Sequence, residues 1–128
     1  MGFILEPKSG EDLMINGWNW RPTMAIIERA GILPSGERCE RCLGNGCGGY
    51  FSEQEALLAA DHIDTLLGTL NPNDRVLFDG EVTHSPIDFQ KPVSEWDESD
   101  TKNHYSARYA VLKLFAEFCR SSGGFIVH

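Results

Sequence analysis

Apolar residues recur with helical spacing in three stretches of the chain. Between Asn19 and Ala30 the stripe is Ala25, Ile26, Ile27 and Ala30. Asn19 suits the cap, and Pro22 suits a first turn, where a missing N–H costs no helical bond. Gly31 and Pro34 supply the stop. The second stretch begins at Ser52-Glu53-Gln54-Glu55, a capping box with Ser52 as cap and Glu55 reaching back. Ala56, Ala59, Ala60, Ile63, Leu66, Leu67 and Leu70 then recur at three- and four-residue steps, and Asn71-Pro72 ends the run. The third is expected from His104 to Ser121, with Ala107, Val111, Leu114, Phe115 and Phe118 facing the core.

Strand signals lie at the two ends, in Phe3-Ile4-Leu5 and Phe125-Ile126-Val127. Each is too short to stand alone, so they are expected to pair or to join one small sheet. Arg75-Val76-Leu77-Phe78 followed by Asp79-Gly80 reads either as the start of a hairpin or as a short helical turn. Two long connections remain, Leu33–Phe51 and Asp74–Asn103. Connections of that length in small domains often carry function. The pattern predicts a helix-dominated α+β fold: residues 1–128 form one domain, with three main helices and a small sheet near the chain ends. Leu67 and Phe118 are expected in its core.

Composition adds a charge map. The 128 residues hold 11 Lys and Arg against 19 Asp and Glu, a net charge of −8, with 41% hydrophobic residues. A chain of this make-up can bury a core, and its acidity excludes a general nucleic-acid binder. No apolar run approaches a membrane span, and the opening residues lack the basic and apolar regions of an export signal, so cytoplasm is the expected compartment. The charge is uneven. Residues 53–100 carry twelve acids and two bases, which is −10, whereas residues 101–128 carry one acid and four bases, which is +3. The densest piece is Glu95-Trp96-Asp97-Glu98-Ser99-Asp100. It reads either as a solvated loop or as a surface that docks a basic protein, with Trp96 as anchor amid steering charges. The alternation and central glycine of a calcium loop are absent.

The most chemical stretch is Cys39-Glu40-Arg41-Cys42-Leu43-Gly44-Asn45-Gly46-Cys47. The spacing Cys-x2-Cys is that of a zinc half-site, and the glycines would let the backbone wrap a metal. Cys39, Cys42 and Cys47 supply three thiols. A fourth ligand would come from Cys119, His62, His84, His104 or a second subunit. The alternatives are three reduced thiols in a loop, which is the leading expectation, or a redox pair. Cys119, beside Phe115 and Phe118, reads as a buried structural thiol. No metal is therefore expected first, and zinc second.

Trp18-Asn19-Trp20-Arg21-Pro22 either closes the core against a helix start or forms a surface with Arg21 stacked on a tryptophan. Gly44-x-Gly46-x-x-Gly49 fits the dinucleotide letters without the strand-to-helix context, and is set aside. The chain shows no P-loop, HExxH or Ser/His/Asp signature. An enzyme would have to use Cys47 with a distant histidine.

Residues Cys39 to Gly46 resemble the Cys-x-x-Cys-x-Gly-x-Gly unit of the J-domain chaperones, over eight residues and without a J-domain sequence. A broader resemblance rests on Asn19-Trp20-Arg21-Pro22, Ala30-Gly31-Ile32-Leu33-Pro34-Ser35-Gly36, Gly49-Tyr50-Phe51-Ser52 and Phe115-Ala116-Glu117-Phe118-Cys119-Arg120-Ser121-Ser122-Gly123-Gly124-Phe125. There the chain is similar to a group of small uncharacterised bacterial single-domain proteins that resemble immunity proteins of toxin systems. The cysteine-rich loop departs from that group. The resemblance implies no catalytic residues and a basic toxin domain as the kind of partner. The favoured expectation is a non-catalytic protein-binding domain that docks a basic partner through its acidic middle segment, residues 74–100, with Glu95, Trp96, Asp97, Glu98 and Asp100 as the contact residues. A small zinc-stabilised module built on Cys39, Cys42 and Cys47 is the second expectation, and an enzyme of unspecified class the third.

Overall fold

The computed structural model describes residues 2–85 and 92–128. Residues 86–91, part of the expected connection Asp74–Asn103, lie outside that description. In chain order the elements are β1 (Gly2–Pro7), β2 (Leu13–Asn16), α1 (Gly17–Arg29), α2 (Glu37–Glu40) running into a π turn (Arg41–Asn45), β3 (Gly49–Phe51) and α3 (Glu53–Leu67). Then follow β4 (Arg75–Leu77), β5 (Val82–Thr83), a 3-10 turn (Val93–Glu95), α4 (Glu98–His104), β6 (Ser106–Arg108), α5 (Tyr109–Ser122) and β7 (Phe125–Val127). The class is α+β. Among the described residues five α-helices replace the expected three, since the short α2 and α4 stand in what were read as open connections.

The chain ends pair as the sequence suggests, but inside a larger sheet. β1 and β7 run antiparallel with Leu5 opposite Val127, and β2 and β3 flank them in the order β2-β1-β7-β3. The inner face of this sheet buries Phe3, Leu5, Ile15, Phe51, Phe125 and Val127, while its outer face leaves Ile4, Met14, Tyr50 and Ile126 exposed. The alternation is that of an antiparallel sheet covered on one side. A second sheet, in the order β5-β4-β6, contains the hairpin at Asp79-Gly80. Trp20 sits at the centre of the core. It stacks on Phe3 at 5.5 Å, meets the edge of Phe115 at 5.8 Å, and its Nε1–H donates to the Cys42 carbonyl at 2.9 Å.

The helix boundaries move for identifiable reasons. Asn16, not Asn19, caps α1, so Pro22 lies inside the helix rather than in its first turn. The Trp18 carbonyl therefore loses its helical donor. Asn19 is instead buried, where its Oδ1 accepts the Arg108 N–H of β6 at 3.0 Å. Ser52 and Glu55 form the expected capping box. The last long helix starts at Tyr109, not at His104, because residues 106–108 leave helical geometry to pair with β4, Val76 opposite Ala107. Its buried stripe is Leu112, Phe115, Ala116, Cys119 and Ser122, one step away from the expected one. Leu114 is 53% exposed, and Phe118 is half-buried, packed against the core through Phe125. Leu67 is buried.

Candidate functional site

The β4–β6 pairing brings distant segments together beside the start of α1. Arg75 does most of the holding. Its side chain is buried, and every N–H of the guanidinium is used: Nε and one terminal nitrogen on the Ser85 carbonyl (3.0 and 2.7 Å), the other contacts on the Asn103 carbonyl (2.7 Å), Asn103 Oδ1 (3.0 Å) and Ser106 Oγ (2.9 Å). All these acceptors are neutral. Burial, and then the neighbouring Arg108 charge, lower the Arg75 pKa from its ordinary value. One side chain thus ties β4 to the end of α4 and to the chain leaving β5. The hairpin tip is pinned as well. Phe78 donates its N–H to the Tyr105 carbonyl at 3.1 Å, and its own carbonyl accepts from Arg29 at 3.0 Å.

Helix α4 begins at a second capping box. The Asp97 carboxylate accepts the Asp100 N–H at 2.9 Å, and the Asp100 carboxylate accepts the Asp97 N–H at 3.1 Å. At the other end, His104 donates from Nδ1 to the Asp100 carbonyl at 2.8 Å. Its ring stacks on Trp96 at 3.9 Å. Trp18, one turn before Pro22, meets the edge of Trp96 at 5.4 Å and leans on Tyr105 at 4.3 Å.

These elements enclose an open groove of about 1030 Å³. Phe78, Trp96 and Tyr105 form its apolar lining. Asp79, Asp97, Glu98, Lys102 and Arg21 stand around them. Phe78 is 49% exposed, and with Trp96 and Tyr105 it makes a contiguous apolar patch and not an isolated exposed side chain. Lys102 bridges Asp79 at 2.7 Å and Glu81 at 3.1 Å. The hydrogen bond from Lys102 holds the Asp79 carboxyl below its ordinary pKa, and the two acids hold the Lys102 ammonium above its own. In the lining Asp79, Asp97 and Glu98 stand against Arg21 and Lys102, three acids to two bases, so the groove keeps an acidic excess of one charge.

Of the five residues expected to bind a partner, Trp96, Asp97 and Glu98 line the groove. Asp100 is half-buried and spent on the α4 cap, and Asp97 shares that duty, so these two acids are structural before they are steering charges. Glu95 lies exposed in the 3-10 turn, outside the lining. Sequence reasoning covered Phe78 and Asp79 only as part of the 74–100 segment without singling them out, and missed Lys102 and Tyr105, because only the non-local β4–β6 pairing makes the four neighbours. The Asp97-x-x-Asp100 spacing was the local signal for the cap. The tryptophan-rich opening divides: Trp20 closes the core, whereas Trp18 is 39% exposed in the aromatic cluster, with Arg21 on the groove.

The cysteine loop differs both from a loop of three accessible thiols, the leading expectation, and from a metal wrap, the second. Cys42 is fully buried in the core, Cys39 is half-buried, and Cys47 is exposed. Burial, with the neighbouring Cys39, pushes the Cys42 thiol up to about 12, and burial also raises the pKa of Cys39. Zinc takes thiolates, whereas burial without a metal holds both of these thiols in the neutral form. Among the described residues no group of three or more His, Cys, Asp or Glu side chains is placed to hold a metal ion. The glycines serve close packing instead. A Cβ at Gly49 would stand 2.6 Å from the Cys42 nitrogen and 2.8 Å from its sulfur, and one at Gly46 (φ +69°) would stand 2.8 Å from the carbonyl carbon of His128. Cys119 is buried, as expected for a structural thiol, and its pKa is raised by burial.

No family model, no curated protein and no solved structure matches this chain. Among the described residues no helix is long and apolar enough to cross a membrane.

Proposed function

We propose that this chain is a non-catalytic protein-binding domain, of the immunity type, that docks a basic partner in the groove between the β4–β5 hairpin and α4. The supporting observation is a half-exposed phenylalanine, Phe78, fixed through both its backbone groups and flanked by Trp96 and Tyr105 under an acidic rim. A preformed aromatic floor supplies anchor energy at little ordering cost, and the acids supply steering. A partner loop that fits carries one apolar side chain for the floor and a lysine or arginine for Glu98.

The test uses a synthetic peptide with one leucine flanked by lysines, and a glutamate-flanked peptide as control. Amide chemical shifts of Phe78, Glu98, Thr101 and Tyr105 are expected to move with the lysine peptide and not with the control. Added salt is expected to slow association, because steering charges are screened over ~8 Å at physiological ionic strength. Glu98→Gln should act on the on-rate and Phe78→Ala on the off-rate. Equal binding of both peptides, or shifts scattered away from the groove, would sink the proposal.

A further inference from the structure

Among the described residues the two sheets present four edges, and three of them are protected. On β3, Arg38 donates to the Tyr50 carbonyl at 3.2 Å and lays its guanidinium over the Tyr50 ring at 4.0 Å. On β6, the Arg108 N–H is taken by Asn19. β5 has two residues. Natural sheets protect their edges in just these ways, because an open edge templates another strand.

β2 is the exception. Ile4 exchanges both backbone bonds with His128, its N–H reaching the His128 carbonyl at 3.2 Å and its carbonyl accepting the His128 N–H at 2.8 Å. The polar groups of Ile4 therefore face β7. Backbone groups alternate sides along a strand, so those of Phe3 and Leu5 face β2 and bond their register partners Ile15 and Leu13. Met14, between those two, turns its N–H and carbonyl away from β1 into the open edge. Its side chain is 70% exposed and stands beside Ile4, itself 39% exposed, on the uncovered face of the sheet. An open edge thus coincides with an apolar patch.

We infer that the β2 edge is a self-association surface, where a second copy of this chain pairs antiparallel through Met14 and joins the two four-stranded sheets into one. The charge pattern favours this occupant. With Met14 opposite Met14 of the second copy, Asp12 falls opposite Asn16, and no acid meets an acid. The two Asp12 side chains are offset by four residues, about 14 Å at ~3.4 Å per residue, beyond the ~8 Å screening length at physiological ionic strength. The net charge of −8 opposes association in general, but this register keeps its nearest members apart. The same register lets each Met14 N–H bond the other Met14 carbonyl and sets the two side chains against each other and against Ile4. The surface shares no residue with the groove lining.

Sedimentation velocity over a concentration series tests this on the wild type, Met14→Glu and Met14→Leu. The wild type is expected to show a dimer that grows with concentration, and Met14→Leu to keep it. Met14→Glu should stay monomeric, since two carboxylates would face each other across the pair beside Asp12. Hydrogen exchange on the wild type gives a readout independent of the variants. The Met14 amide should become protected as concentration rises, whereas the Ile15 amide, bonded to Phe3, is protected throughout. A wild type that is monomeric across the series, or a dimer that leaves the Met14 amide unprotected, would overturn the inference.

Discussion

Arg75→Met removes five hydrogen bonds from one buried side chain while keeping much of its apolar stem. The cost follows from the fate of the acceptors. Ser106 is 1% exposed, so its Oγ is left without the Arg75 donor in a site water cannot reach, worth about 1–3 kcal/mol. Asn103 is half-buried and offers two acceptors, so part of a similar penalty applies there. The Ser85 carbonyl belongs to an exposed residue and regains water at little cost. Relief of the buried, unpaired guanidinium charge offsets part of the loss. The net expectation is a destabilisation of about 2–4 kcal/mol, a large share of the ~5–15 kcal/mol that holds a typical domain. Arg75→Lys should fare no better. An ammonium offers three donors where the guanidinium uses five N–H groups, so it cannot satisfy Ser85, both Asn103 acceptors and Ser106 together, and it stays buried as a cation. Urea unfolding followed by circular dichroism measures the stability. Tryptophan emission in the native baseline reports the groove, because release of the α4 end frees His104 from Trp96 and Trp96 from Trp18. If Arg75→Met unfolds within about 0.5 kcal/mol of the parent, with unchanged emission, Arg75 does not organise this site.

Two further outcomes follow from burial. Leu112→Ala should cost about 2–5 kcal/mol in denaturant unfolding and Leu114→Ala within about 0.5 kcal/mol, since the first is fully buried and the second 53% exposed; the reverse order would place the wrong face of α5 on the core. Under native conditions a maleimide should label Cys47 first and Cys39 more slowly, while Cys42 and Cys119 should react only on unfolding; early labelling of Cys42 would show that the loop is not packed on Trp20.

The parts of the fold that were legible in the sequence are those decided locally. The Ser52–Glu55 box needs four residues and the α3 stripe repeats over fifteen, whereas Asp79-Gly80 left a hairpin and a short helical turn equally open, and the β4–β5 pairing decides for the hairpin. The apolar ends could be matched because few other strands were evident. What failed was decided at a distance. Residues 106–108 carry no local strand signal and take strand geometry because β4 and Asn19 offer bonds on either side. Asn19 and Asn16 have the same capping chemistry, and the second was chosen because β2 ends there. The stripe on α5 was misplaced because apolar residues occupy more of the helix than one face, and periodicity cannot say which of Leu112 and Leu114 meets α3.

The groove and the cysteine loop fail in opposite directions, for one reason. Side-chain chemistry read along the chain reports what residues can do, whereas burial decides what they do. Cys39, Cys42 and Cys47 have ligand spacing, yet the loop spends its middle thiol on the core, with the Cys42 carbonyl holding Trp20 and Gly49 pressed against the Cys42 sulfur. The glycines that looked like metal-wrapping residues are demanded by that contact and by the approach of His128 to Gly46. Conversely, Phe78 and Lys102 carry no motif, and they reach the groove because Arg75 and the Phe78–Tyr105 bond lock two distant segments side by side. A thiol driven toward its neutral form by burial is a poor ligand, and a phenylalanine held half out of water is a good anchor. The proposed function therefore rests on the aromatic groove.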